Sequence, residues 1–143
     1  MGKASVKELI EGLNVDLAHE YAAVIQYRTY ASAVSGPHRQ ELRAFFTGEI
    51  TDELGHAQML CDKIIALGGT PTMTPAATKM TDDVREMLQN SLDDEIATIA
   101  RYVERRKQAE EAQEFGLAVA LDELIADETS HRDELRQVLK HWK

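Results

Sequence analysis

Cysteine is almost missing from this 143-residue chain. Cys61 stands alone, which excludes an internal disulfide and any thiolate-built zinc or iron–sulfur site, and it fits a reducing, cytoplasmic setting. Any metal must be held by oxygen and imidazole. Proline is confined to positions 37, 71 and 75, so long stretches carry no helix breaker. No run approaches the ~20 apolar residues that span a bilayer, and no membrane partner is expected. Met1-Gly2-Lys3-Ala4-Ser5-Val6 lacks the apolar segment of a secretion signal, and Val6 lacks the hydroxyl of a myristoylation signal. Positive charge is also scarce. With 16 basic against 25 acidic residues the formal charge is -9, which disfavours nucleic acid and anionic lipid and gathers cations near the surface.

What the chain does have is helical periodicity from end to end, with no segment alternating apolar and polar residues over strand length. The expectation is an all-α fold in one domain, residues 1–143, long enough for a full core. Helix A is predicted from Val6 to Val34, ending at Ser35-Gly36-Pro37, and helix B from there to Leu67, ended by Gly68-Gly69. Gly68 to Met80 holds two glycines, two prolines and four threonines and no helical face, so it reads as a loop. Extended, it reaches ~43 Å, close to the ~45 Å length of helix B. It can therefore return along the bundle as a long crossover that leaves B parallel to C. Thr81-Asp82-Asp83 is predicted to cap helix C, a polar turn within Gln108 to Phe115 to divide C from D, and helix D to run to the end of the chain at Lys143.

Carboxylates interrupt the apolar seams of all four helices. Glu53-Leu54-Gly55-His56 and Glu128-Thr129-Ser130-His131 are two copies of Glu-x-x-His, and each lies 33 residues after a lone glutamate, Glu20 and Glu95. The set recurs at one offset of 75 residues. In heptad steps Glu20 falls among Leu17, Val24 and Tyr27; Glu49, Glu53 and His56 among Phe46 and Leu60; Glu95 among Leu92, Ile99 and Tyr102; Glu128 and His131 among Leu124 and Leu135. Four carboxylates buried together must protonate or be expelled unless cations offset them, and two divalent ions would neutralise them while two neutral imidazoles complete the shell. On a helix, i and i+3 share a face, so each Glu-x-x-His can grip one cluster. Carboxylate with imidazole suits iron or manganese, with zinc as a competitor, and two Fe ions are the expectation. Removing one buried charge, as in Glu128→Ala, is expected to abolish dinuclear binding and leave the metal-free bundle folded or stabilised.

Other residues carry weaker signals. Glu49 and Asp52 flank the helix B pair and read either as relay sites for iron or as a polar rim. Tyr27, two turns beyond Glu20, reads as a hydrogen-bond or electron donor to the metals, or as core with its hydroxyl satisfied. Tyr102 has a lesser claim. His19, His38 and His141 fall off the seams and read as surface residues. Gly55, next to His56, reads as close helix approach or a local bulge.

The stretches Leu13-Asn14 through Glu20-Tyr21-Ala22-Ala23-Val24-Ile25-Gln26-Tyr27, Glu49-Ile50-Thr51-Asp52-Glu53-Leu54-Gly55-His56, Glu95, and Asp127-Glu128-Thr129-Ser130-His131 resemble the bacterioferritin branch of the ferritin-like superfamily. The resemblance spans all four helices. It implies a ferroxidase centre in which two Fe²⁺ bind and are oxidised by O₂ or H₂O₂, the Fe³⁺ staying as a bridged cofactor or moving into a mineral store. It implies Glu20, Glu53, His56, Glu95, Glu128 and His131 as ligands, with Glu53 and Glu128 bridging, and Tyr27 as the tyrosine beside them. Two departures stand out. Bacterioferritins bind haem through a methionine directly after the helix B ligand glutamate, where this chain has Leu54, so haem is not expected. They also carry a short fifth helix, for which this chain has no residues beyond helix D. A homodimer across helices A and B is the minimum assembly, and a cage is the larger one.

Three other functions compete. A rubrerythrin-like peroxidase uses the same ligands but normally has a Cys-x-x-Cys domain, so this chain would need an outside electron donor. A quinone-precursor hydroxylase would need a membrane-seeking apolar face. A non-catalytic metal-binding bundle would bind the same ions without turnover.

Overall fold

Helix-favouring residues and the near absence of internal breakers yield four helices. The computed structural model describes residues 3–143. Its elements are α1 (Lys3–Ala33), α2 (Arg39–Ala66), α3 (Val84–Glu111) and α4 (Phe115–Leu139), with no strand among the described residues. Met1 and Gly2, on which the N-terminal targeting reading turns, lie outside them. The fold is an all-α four-helix bundle, and no described helix is long and apolar enough to cross a membrane.

Helix ends follow local chemistry. After α2, Gly68 takes φ +89°, and Gly69 N–H donates to the Ile64 carbonyl, a left-handed cap that glycine adopts without penalty. The predicted cap of helix C needs a correction: Asp83, not Thr81, accepts from Glu86 N–H, while Thr81 Oγ1 takes the Asp83 N–H. The turn between α3 and α4 falls inside the predicted window. Gln113 is left-handed there at φ +61°, and Glu114 N–H closes onto Ala109 O. Helix α1 begins earlier than Val6, and α4 stops at Leu139 rather than Lys143. The last residues turn so that Trp142 packs on the core and against His38, with ring centroids 5.7 Å apart.

Two apolar clusters define helix directions. One joins Leu9, Leu13 and Leu17 of early α1 to Leu60 and Ile64 of late α2, Tyr102 and Ala109 of late α3, and Leu117 and Leu121 of early α4. The other joins Tyr27, Tyr30 and Val34 to Leu42 and Phe46, Met87 and Leu88, and Leu135. Helix α1 is thus antiparallel to α2 and α3, α3 to α4, and α2 runs parallel to α3. The connection between α2 and α3 must therefore travel the length of the bundle, as expected. It does so along α1: Asn14 bonds Thr70 and Thr72, Ala18 O accepts from Ala76 N–H, Gln26 Oε1 from Lys79 N–H, and Tyr30 donates to Lys79 O.

A buried ion pair was not anticipated. Asp16 accepts from Arg105 Nε at 2.8 Å and Nη2 at 3.2 Å, both side chains being nearly sealed from solvent. The guanidinium lies over Gly12, where a Cβ would fall 1.8 Å from Nη1. Gly55 is the opposite case. It faces open space and meets no neighbour within 4 Å, so the close-approach reading is overturned.

Candidate metal centre

Between the two apolar clusters, at half height, the four helices turn carboxylates inward. Glu20, Glu53, Glu95 and Glu128 are each no more than 3% exposed, and His56 and His131 are buried with them. Two overlapping groups lie close enough to hold a metal ion: Glu20, Glu53, His56 and Glu128, and Glu49, Glu53, Glu95 and His131, with candidate ligand atoms within 4.8 Å of one another in each. All six residues singled out in the sequence are brought together. Glu49 joins them, a residue for which the sequence reading left a polar rim open. It is 6% exposed, and its Oε2 lies 2.7 Å from His131 Nδ1. Its place on the apolar seam one turn before Glu53 was the available signal.

The remaining contacts cross between the two halves of the chain. His56 Nε2 lies 3.2 Å from Asp127 Oδ2, and His131 Nε2 lies 2.9 Å from Asp52 Oδ2, so each Asp-Glu-x-x-His motif orients the histidine of the other. Both Nδ1 atoms then face the carboxylates, a pairing that fixes tautomer and ring orientation for a metal ligand. Tyr27 donates to Glu95 Oε1 at 2.8 Å, and Tyr102 donates to Glu20 Oε1. Both tyrosines are buried, so Tyr102 stands level with Tyr27. These pairs keep the 75-residue offset of the ligands, which makes the site pseudo-twofold.

Electrostatics of the protein alone are unbalanced. Burial, reinforced by Glu20, Glu128 and Glu95, pushes Glu53 far above the usual carboxylate range. Burial and Glu128 do the same to Glu95, against the pull of His131, and burial raises Glu49 against His131. Burial also opposes ionisation of Glu128, but Glu95 and the two histidines override it and hold that carboxyl well below its ordinary value. Burial would lower His56, yet Glu128 and Glu20 carry it up to about 10, and His131 rises for the same reason beside Glu128, Glu49 and Glu95. Burial, with the carboxylates Glu95 and Glu20 beside them, lifts the phenols of Tyr27 and Tyr102. Protons therefore stand where cations fit.

Among the described residues, buried side-chain polar atoms without a well-aligned hydrogen bond concentrate here: Glu20 Oε2, Glu49 Oε2, Glu53 Oε1, Glu95 Oε2, Glu128 Oε1, and Nδ1 of His56 and His131, the imidazole–carboxylate pairs among them being ion contacts only. Such groups are costly unless something binds them. Hard oxygens with two imidazoles suit iron or manganese, and the donors fit a dinuclear ion pair.

A cavity of about 110 Å³ reaches this cluster between α1 and α3, with His19, Thr98 and Arg101 toward its outer part. His38 and His141 are exposed, as expected; His19 is partly buried in this cavity. Leu54 is exposed, beside Tyr21, Ile25 and Met73 in an apolar hollow on the α1–α2 face.

A parallel-crossover bundle with a carboxylate and imidazole cluster at its centre defines a ferritin-like helix bundle. Residues 10–143 match the Ferritin family, described as a ferritin-like domain, and the chain belongs to that family. It is similar to a ferritin-like, diiron-carboxylate protein of Bacillus anthracis whose crystal structure shares 51% identity, with a TM-score of 0.94 over 97% of this chain and 99% of that one. It is similar also to the Desulfovibrio desulfuricans bacterioferritin, at 26% identity and a TM-score of 0.91 over 99% and 84%. In sequence it is 33% identical over 124 residues to the bacterial ferritin of Paramagnetospirillum magnetotacticum, covering 86% of this chain and 76% of the relative.

Proposed function

We propose that the protein is a ferroxidase: it binds two Fe²⁺ in the bundle core and oxidises them with O₂ or H₂O₂, in iron storage or detoxification. The carrying observation is the set of buried, unpartnered carboxylate and imidazole atoms contributed by all four helices. Fe²⁺ is the substrate, and Glu20, Glu53, His56, Glu95, Glu128 and His131 are its ligands. Glu53 and Glu128, each within 4 Å of both imidazoles, would be shared between the two positions, as the family resemblance implies. Glu20 with His56, and Glu95 with His131, complete them. Tyr27 is the catalytic residue beside the metals and, with Tyr102, fixes one oxygen, Oε1, of a ligand carboxylate.

Binding exchanges cations for the protons held by Glu53, Glu95, His56 and His131, so the charge of the core stays balanced. Each pair of Fe²⁺ supplies two electrons. These reduce one H₂O₂ with two protons to two waters, or one O₂ with two protons to H₂O₂. The burial of the carboxylates keeps bulk water from competing for their oxygens.

Residues 1–143 work as one domain, in the cytoplasm, as a homodimer at least and within a cage at most. The exposed apolar hollow around Leu54 supports the α1–α2 face as a dimer surface. An external electron donor would return the metals to Fe²⁺ between cycles. The test is anaerobic Fe²⁺ titration, then a pulse of O₂ or H₂O₂, with sizing chromatography on the same sample. Two irons per chain and rapid oxidation are expected. Two irons bound without steady oxidant consumption would reduce the protein to a metal-binding bundle.

A further inference from the structure

The metal centre faces the outside on two sides that differ in charge. The α2–α4 side is acidic: Asp52 and Asp127 carry side chains that are 51% and 58% exposed and touch the two imidazoles of the centre. The α1–α3 side is the cavity, whose inner wall includes Glu20, Glu53, Glu95, Glu128 and Tyr27. Its outer wall is made of small and neutral groups with one carboxylate, Asp94, and one strong cation, Arg101.

The two charges do not cancel each other. Asp94 is occupied by Lys79 Nζ at 2.7 Å and accepts from Gln26 Nε2 at 2.7 Å. That contact also ties the crossover to the cavity rim, since Gln26 accepts from Lys79 N–H. Arg101 has no such partner. Its Nη2 donates to the neutral Thr98 hydroxyl at 2.8 Å, and its Nε is buried without a hydrogen bond. The carboxylate nearest its Nε, Asp16 at 3.9 Å, is already taken bidentately by Arg105. An uncompensated guanidinium therefore stands in the wall of a narrow way to four carboxylates. A cation in a confined low-dielectric passage repels a divalent ion more than it would in water, and leaves an uncharged molecule unaffected.

We propose that this cavity admits the small uncharged oxidant, dioxygen or hydrogen peroxide, and that Arg101 bars divalent cations from it, leaving metal to enter from the Asp52–Asp127 side. The inference rests on the ferroxidase reading for the identity of the oxidant, but not for the exclusion of cations.

Cobalt(II) tests the exclusion without redox chemistry, through its visible absorption on binding, followed by stopped flow on the full-length protein at low ionic strength. Arg101→Gln should speed Co²⁺ association by about fourfold, the effect of one charge on a divalent ion at ~10 Å in water. The gain should shrink as salt is added, and Arg101→Lys should keep the wild-type rate. Ala97→Phe tests the oxidant. Ala97 lines the cavity yet is exposed on α3, so a larger side chain can narrow the mouth without entering the core. Ala77→Trp, from the exposed crossover, narrows it independently.

Both should slow H₂O₂ oxidation of protein preloaded anaerobically with Fe²⁺ severalfold while leaving Co²⁺ association unchanged. An Arg101→Gln rate equal to wild type at every salt concentration would overturn the proposal, and so would mouth variants that slow Co²⁺ and not oxidation. A wild-type protein that binds two Co²⁺ but never oxidises Fe²⁺ counts against the ferroxidase reading alone. The Arg101 comparison still decides whether cations are excluded.

Discussion

The Glu49 carboxylate lies 2.7 Å from His131 Nδ1, and the residue 75 positions later in the repeat, Leu124, offers His56 nothing equivalent. The pseudo-twofold site is therefore lopsided: five carboxylates, Glu49, Asp52, Glu53, Glu95 and Glu128, come within 4 Å of the His131 ring nitrogens, against four, Glu20, Glu53, Asp127 and Glu128, for His56.

That asymmetry predicts two unequal metal positions. Glu49→Leu, which copies the other half of the repeat, should weaken one of two metal-binding steps by about tenfold and leave the other unchanged, since one ligand or hydrogen-bonded neighbour is worth 10–100-fold. Anaerobic Co²⁺ titration by calorimetry resolves the steps. Equal weakening of both would show that Glu49 serves no particular position.

Charge within the cluster separates two carboxylates that look alike in sequence. Glu53 is held protonated in the metal-free protein and Glu128 ionised between two histidines. Glu53→Gln replaces a neutral acid by a neutral amide and should cost metal-free stability no more than about 1 kcal/mol. Glu128→Ala strips the counterion from buried cationic imidazoles and should cost about 3 kcal/mol. This prediction runs against the sequence-based expectation that Glu128→Ala leaves the metal-free bundle folded or stabilised. Both variants should lose dinuclear binding, and chemical denaturation with chelator present measures the contrast.

The pH dependence should run in opposite directions with and without metal. His56 titrates at about 10 in the folded metal-free protein against 6.5 as a free side chain. A raised value means that its contribution is fully present below pH 6.5 and is lost as pH climbs through about 10. Glu53 and Glu95, raised from 4.5, lose theirs in the same direction. Metal-free Tm should therefore fall between pH 6.5 and 10, by the equivalent of a few kcal/mol. Metal-loaded Tm should rise over the lower part of that range, because protons and cations compete for the same atoms. Parallel thermal melts across that range read both slopes.

Gly12 is predicted to be intolerant of alanine despite sitting inside a helix, where alanine gains about 1 kcal/mol. The new methyl must evict the Arg105 guanidinium, leaving Asp16 buried without its partner, a loss of about 3 to 5 kcal/mol. Net destabilisation of about 2 to 4 kcal/mol is expected, measured by urea unfolding. Gly55→Ala, where the added carbon meets nothing, should stabilise slightly.

Much of this was legible because charged residues on an apolar seam have few explanations. Glu20, Glu95 and the two Glu-x-x-His pairs broke the heptads at matched heights, and Gly68 and Pro71 marked a segment too long for a simple turn. What escaped was whatever depends on a side chain's reach across the bundle. Asp16 and Arg105 are 89 positions apart, and nothing local marks them as partners. The capping role of Asp83 over Thr81 turned on a two-residue difference in where the backbone becomes helical. Asp52 read as a relay site or a polar rim, and Asp127 only as part of its motif, because their bonds to histidine run to the opposite half of the chain.

Those crossed bonds make each helical hairpin incomplete in the same way. Helices α1 and α2 hold Glu20, Glu53 and His56, but the groups that orient Glu20 and His56 are Tyr102 and Asp127, from α3 and α4. Tyr27 and Asp52 repay the debt to Glu95 and His131. A misregistered pairing of the hairpins would leave two half-sites, each with unsupported ligands. Tight loading of two ions is therefore a readout of correct assembly, and a chain that has docked its halves one helical turn out of step would reveal itself by failing to hold metal.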